Sequence, residues 1–408
     1  MIARLTLRHG VRFTQRIAVV SFAMAATALA DGSGGGSLGG TAFSNEVESA
    51  LVRAITGLSD HGLKQALVEV DKMLARNPNH RLAYLIKGDL LMASAGQPVA
   101  FASTAATSAS VAPLQDEARA RMKRYVDAPP VDYLPAPLLQ LSPKHAYALL
   151  VDTSRSRLFV YANDLGRPRY VTDFYISLGK NGVDKSREGD QKTPIGVYSL
   201  LPLKDGLPDF YGPGAYPLSY PNEWDRVNGR NGHGIWLHGT PSDTYSRAPW
   251  ATDGCVVLTN EDLARLSKYL DVNRTPVVIG QSVEWRPPDQ WEAERDAFLA
   301  AFGKWKSDWE SLDANRYLSH YSRNFRSEHR DFATWSSRKR QVNTGKTWIK
   351  VGVDDVSIFE YPGTRDLMMI SFEQDYRSNN LSNRTFKRQF WAREGGQWRI
   401  VHEAVVTS

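Results

Sequence analysis

A histidine and a cysteine stand seventeen positions apart, in Gly234-Ile-Trp-Leu-His238-Gly239 and in Thr252-Asp253-Gly254-Cys255-Val256-Val257-Leu258. Acyl transfer by sulfur needs a thiolate, and a neighbouring imidazole can take the thiol proton and later protonate the leaving amine. The apolar runs Ile235 to His238 and Cys255 to Leu258 predict strands, and two adjacent strands would hold such a pair rigidly. Gly254 lets the backbone approach a substrate closely, and the amides around Cys255 are natural donors to a developing oxyanion. Cys255 is the only cysteine of the chain, so it forms no internal disulfide. A lone cysteine is by default a small inert hydrophobe. Its neighbours turn the balance toward chemistry.

Upstream, Gly179-Lys180, then Glu188-Gly189-Asp190, then Lys192-Thr-Pro-Ile-Gly-Val-Tyr198 precede this block in order. Together the segments resemble the YkuD-type L,D-transpeptidase domain, whose hallmark is a His-Gly pair followed by a Ser/Thr-x-Gly-Cys turn. The resemblance spans residues 144–283, roughly a third of the chain. It implies a peptidoglycan stem tetrapeptide as substrate, cut between the L-centre of diaminopimelate and the terminal D-Ala. Cys255 matches the nucleophile and His238 the base, while the backbone carbonyl of Gly239 takes the place of a triad acid by orienting the imidazole. The acyl-enzyme then passes to an amine, giving a cross-link or protein attachment, or alternatively to water, giving L,D-carboxypeptidase activity. Many family members carry a histidine two positions before the cysteine. Here that position is Asp253, which leaves one motif histidine.

Other residues near the block have weaker claims. His233 is a rival base, but it precedes His238 by five positions, and on a continuous strand the two would face opposite ways. It therefore reads as a turn histidine. Thr252 steadies the turn or donates to substrate. Arg247 and Trp250 lie in the loop between base and nucleophile, where a substrate wall is expected, and Arg247 suits a stem-peptide carboxylate. No metal and no cofactor are called for.

The elements that must position these residues start after an export signal. Arg4, Arg8, Arg12 and Arg16 precede the apolar stretch Ile17 to Leu29, and Ala28-Leu29-Ala30 offers a cleavage site, so residues 1–30 predict a signal peptide and a periplasmic enzyme. An uncleaved signal is the one route to membrane attachment, because no later segment reads as transmembrane. Losing those arginines takes the formal charge from +6 to +2. No basic block interleaved with aromatics remains, which speaks against nucleic acid as a partner. Stem peptides, with other cell-wall proteins, are the partners expected.

With 42% hydrophobic and 23% charged residues, the chain is ordinary globular material, and its 408 residues suit several domains. Residues 31–45 read as a flexible linker, and residues 46–143 as a helical prefix with a tetratricopeptide-like hairpin broken at Asn77-Pro78. From Tyr147 the period changes to two. Short strands, interrupted by one helix capped by Asn260, predict a β-rich catalytic domain over 144–283. Arg286-Pro287-Pro288 marks a boundary where few contacts should cross. Residues 289–408 open on a helix whose Trp291, Phe298, Phe302, Trp305 and Trp309 form one face, followed by alternating strands. This α+β cone resembles the nuclear transport factor two-like fold. The fold class is thus multidomain α+β. The layout resembles cell-shape-determining L,D-carboxypeptidases of helical bacteria, which strengthens hydrolysis. A non-catalytic wall-binding scaffold is the rival of a different class, and Cys255 with His238 in the family's order argues against it.

Overall fold

The structure, a computed structural model, describes residue 48 and residues 60–97, 110–327 and 330–406. The expected signal peptide and linker, residues 1–45, lie outside the described residues. The chain divides into two units, Met1–Val131 and Asp132–Ser408. Among the described residues, no helix is long and apolar enough to cross a membrane.

In the first unit, α1 (Asp60–Arg76) and α2 (Arg81–Ser94) form the hairpin that the apolar spacing predicts, and α3 (Ala112–Val126) follows. Leu63, Ala66, Val70, Leu82, Ile86 and Leu90 make its buried seam. Asn77-Pro78 ends the first helix because proline cannot continue the ladder. His80 caps the second, its ring accepting from the Ala83 amide at 3.4 Å.

The second unit begins with β1 (Leu134–Pro135), which belongs here and not with the helical prefix. Next come β2 (Tyr147–Asp152), β3 (Arg157–Asp164), β4 (Arg167–Tyr175), β5 (Leu178–Gly179), β6 (Gly196–Ser199), β7 (Ala215–Pro217), β8 (Trp236–His238), β9 (Trp250–Thr252), β10 (Val256–Val257), β11 (Pro276–Gly280) and β12 (Trp285–Arg286). A five-stranded sheet runs β4-β3-β2-β11-β6, and a smaller one runs β10-β8-β7. Leu149, Val160, Leu237, Val256 and Val277 fill the core between them. Two helices, not one, interrupt these strands: α4 (Glu223–Val227) and α5 (Asn260–Leu266). The cap of α5 is Thr259, whose hydroxyl accepts from the Asp262 amide at 3.2 Å. Asn260 is instead the first helical residue.

The cone carries α6 (Pro288–Glu310), α7 (Ala314–Leu318) and α8 (Phe332–Thr344) against β13 (Tyr321–Ser327), β14 (Arg330–Asp331), β15 (Ile349–Glu360), β16 (Leu367–Ser378), β17 (Leu381–Glu394) and β18 (Gln397–Val406). Its strand order is β14-β13-β18-β17-β16-β15. The aromatic stripe of α6 is buried against one face of this sheet.

The boundary at residues 286–288 does not separate independent bodies, as the proline pair suggested it would. Side chains alternate across a strand, and here both faces are covered. Met368, Ile370, Phe372 and Trp391 face α6. Leu367, Met369 and Phe390, with Phe359, pack instead on Leu138, Phe159, Tyr161 and Val278 of the catalytic domain. Trp224 of α4 stacks on Phe390 at 5.2 Å, and Arg388 pairs with Glu223. The apolar faces of two sheets thus share one core.

Candidate active site

Strand β8 runs parallel to β10, with Leu237 opposite Val256 and His238 opposite Val257. The Leu258 amide donates to the His238 carbonyl at 3.0 Å. Leu237 and Val256 point into the core. Alternation therefore turns His238 to the other face, and Cys255, two residues before Val257, to that same side. The expectation that neighbouring strands bring the two residues together agrees with this register.

Nδ1 of His238 lies 2.7 Å from the Gly239 carbonyl oxygen. A carbonyl only accepts, so Nδ1 carries the proton and Nε2 keeps its lone pair. His238 is 2% exposed, with Tyr211 and Phe210 centred 5.1 and 6.2 Å from its ring. Burial pushes its pKa down to about 4; the Gly239 carbonyl opposes this and the Arg247 cation adds to it. A Cβ at position 239 would stand 2.1 Å from Asn260 Oδ1 and displace that side chain. That oxygen accepts from the Thr240 amide at 2.9 Å, so the start of α5 holds the residue after the orienting carbonyl.

The Cys255 thiol donates to the Gly234 carbonyl at 3.4 Å. Burial raises its pKa, while the Trp236 amide, Arg247 and Lys185 pull the other way. The directions of the two shifts favour a neutral thiol and a neutral imidazole near neutral pH. A charged thiolate–imidazolium pair is costly in this setting, in keeping with the expected role of the imidazole as the base that takes the thiol proton.

The turn before the sulfur is tied by Thr252. Its hydroxyl donates to the Cys255 carbonyl at 2.8 Å and accepts from the Gly254 amide at 3.1 Å. That amide is occupied and offers nothing to an oxyanion. The Cys255 amide has no partner among the described residues. Gly254 has φ +121, and a Cβ there would lie 2.7 Å from the Lys192 carbonyl oxygen. Thr193 clamps the same turn, donating to the Gly254 carbonyl at 3.1 Å and accepting from the Gly179 amide at 2.9 Å.

Asp190 organises the loop behind it. Its carboxylate receives Lys185 Nζ at 2.8 Å and the Ser186, Arg187 and Lys192 amides at 2.9, 3.1 and 3.1 Å. Although burial opposes ionisation, Lys185 and those amides hold the carboxyl at about 2. The acid of the Glu188-Gly189-Asp190 motif is thus structural at Asp190.

Arg247 arches over the site, its guanidinium 6.0 Å from the Phe210 ring and bonded to the Ala251 carbonyl at 2.8 Å. Trp250 is exposed on β9. Asp253 pairs with Lys180 at 2.9 Å. His233 sits in a loop, not on a strand, so the alternation reasoning does not apply to it. It is exposed and 3.5 Å from Glu188. Phe210 and Tyr211, which wall the imidazole, went unnoticed in the sequence. Their signal was an aromatic pair ahead of Gly212-Pro-Gly in a loop leading into a strand. Among the described residues, no group of His, Cys, Asp and Glu side chains could hold a metal ion.

Comparison with known proteins agrees with this geometry. Residues 146–279 match the family profile of the YkuD L,D-transpeptidase catalytic domain, and residues 297–404 match the Cds6 C-terminal NTF2-like domain. Bd1075 of Bdellovibrio bacteriovorus is 26% identical, with a TM-score of 0.60, over 68% of this chain and 99% of that one. The helical cell shape determining protein Pgp2 of Campylobacter jejuni is 28% identical, with a TM-score of 0.56, over 66% of this chain and 94% of its own. No curated protein sequence matches the chain significantly. The chain therefore carries a YkuD-type L,D-transpeptidase catalytic domain at residues 146–279, joined to a Cds6-type NTF2-like domain at residues 297–404.

Proposed function

We propose that the protein opens the diaminopimelate–D-Ala amide of peptidoglycan stem tetrapeptides through an acyl-enzyme on Cys255. The observation that carries this reading is the pairing of the strand ending at His238 with the strand that Cys255 immediately precedes, with Nδ1 of the imidazole engaged by Gly239. The thiol proton passes to Nε2 as sulfur attacks the L-centre carbonyl, and the Cys255 amide donates to the developing oxyanion. The imidazolium then protonates the leaving D-Ala amine. Arg247 takes the D-Ala carboxylate, and the exposed Trp250 ring forms the outer wall. An incoming amine or water, deprotonated by His238, breaks the thioester and restores the thiol.

Water is the favoured acceptor. The two-domain match to a helical cell shape determining protein supports trimming of donor peptides, for which no second peptide need enter the site. Export to the periplasm, through the basic and apolar residues 1–30, accompanies this reading. The test is mass spectrometry of a disaccharide-tetrapeptide incubated with purified protein, with and without an amine acceptor. Tripeptide and free D-Ala in both cases support hydrolysis, and an adduct that grows with acceptor supports transpeptidation. An unchanged tetrapeptide would sink the reading.

A further inference from the structure

A cavity of about 420 Å³ opens where the two domains of the second unit meet. Asp184, Trp224, Asp225 and Arg230 line it from the catalytic domain, and Tyr361 and Thr364 from the turn between β15 and β16 of the cone. The Arg230 guanidinium is already engaged by both lining carboxylates. Arg230 lies 2.7 Å from Asp184 and 3.9 Å from Asp225, and donates to the Lys185 carbonyl at 2.7 Å. A stem peptide, with free carboxylates and an ammonium, calls for uncommitted countercharges, and so does a phosphate. What the cavity offers is oriented donors and acceptors beside an aromatic ring fixed from behind by Phe390. That combination suits a neutral, polyhydroxylated ligand, whose C–H edges meet the negative face of an indole and whose hydroxyl and acetamide groups meet planar polar side chains.

We infer that this seam cavity binds the acetamido-sugar backbone to which the stem peptide is attached, an inference that rests on the function proposed above. The cavity is joined to the site through its own walls. Arg230 and the Tyr220 hydroxyl both reach the Lys185 carbonyl, the Lys185 ammonium is bonded to Asp190, and Thr193 of the same loop donates to the Gly254 carbonyl beside Cys255. Four residues beyond Arg230, Gly234 accepts the thiol hydrogen bond. A sugar in the cavity therefore bears on the two loops that hold the sulfur, and the cone supplies the opposite wall.

The experiment uses the mature protein and two cavity-filling variants, Thr364→Trp on the cone and Asn228→Trp on the catalytic side. Both positions are exposed cavity-lining residues outside the dyad. Near-ultraviolet circular dichroism establishes that each variant is folded. Calorimetric titration with peptide-free N-acetylglucosamine tetramer should give saturable binding to the wild type, weakened at least tenfold in both variants. Disaccharide-tetrapeptide should show a KM several-fold below that of free tetrapeptide in the wild type alone, while free-tetrapeptide turnover stays the same in all three. Absence of saturable tetramer binding to the folded wild type, or equal binding in the filled variants, overturns the inference. Tetramer binding lost in the variants, with no turnover of either peptide, would keep the sugar site and refute the enzymatic reading instead.

Discussion

Asn222 of the catalytic domain donates through its side-chain amide to the Tyr361 hydroxyl of the cone at 2.9 Å, and to the Val197 carbonyl at 3.0 Å. Its own oxygen caps α4, accepting from the Asp225 amide at 2.8 Å. One buried side chain therefore fastens a strand, a helix start and the neighbouring domain. Asn222→Ala should cost about 2–3 kcal/mol, from a lost cap and unsatisfied buried partners. Calorimetry of a 132–408 fragment should show one transition, shifted down intact by the substitution. Two separated transitions would mean that the shared core does not couple the domains.

Cutting the chain at residue 283 should not release a healthy catalytic domain. It would strip Phe359, Leu367, Met369 and Phe390 from Leu138, Phe159 and Val278. The 31–283 fragment is expected to bind a hydrophobic dye and aggregate. A soluble fragment with wild-type melting would contradict this.

Cys255→Ala should abolish D-Ala release while leaving the circular dichroism unchanged, since alanine fits the space of the thiol. His238→Ala should lower kcat by roughly three orders of magnitude or more, in line with loss of a nucleophile's base. His233→Ala, at an exposed loop position, should change kcat less than about twofold. Equal losses at both histidines would assign the base wrongly.

The acid limb of kcat/KM should fall well below the ordinary histidine range. Catalysis needs neutral Nε2, and burial holds the His238 pKa at about 4, so activity should persist at pH 5 and vanish as pH drops through 4. Stability follows the same sign. Between the unfolded value of 6.5 and the folded value of about 4, the unfolded chain binds more protons at this site, so acidification through that window destabilises the fold. Because burial raises the Cys255 pKa, iodoacetamide should label the free enzyme slowly at neutral pH. A pH-rate midpoint near 6.5 would show that His238 is solvated in the working enzyme.

Arg247→Gln should raise KM for tetrapeptide by roughly tenfold, in keeping with loss of a charge-assisted contact. A substrate whose terminal D-Ala is amidated should show little further loss. An equal rise with both substrates would remove the carboxylate contact from Arg247.

The pairing of the runs that end at His238 and follow Cys255 could be anticipated from the sequence because strand pairing preserves what a short motif states: two residue types on adjacent apolar runs. The aromatic stripe of α6 was legible for the same reason, since helical spacing declares a face. The shared core was not. Leu367-Met-Met-Ile370 and Phe390-Trp391 are apolar at consecutive positions, a pattern that signals a sheet covered on both sides. A proline pair at residues 287–288 drew attention to a boundary with few contacts across it instead. The structural role of Asp190 was not legible, because the four donors that consume its carboxylate come from its own loop, which spacing cannot reveal. Phe210 and Tyr211 reach the imidazole only through the fold of a glycine-rich loop.

Strands β1 and β12 pair Leu134 with Arg286 and Pro135 with Trp285, and Arg286 reaches on to Glu360 at 2.7 Å. The chain entering the catalytic domain is thereby buttoned to the chain leaving it. Tension drawn along the polypeptide would run through this button and bypass the strands next to Cys255 and His238 until it opens. Pulling between residues 133 and 287 should accordingly give a first, low-force rupture that spares turnover, before the sheet itself yields.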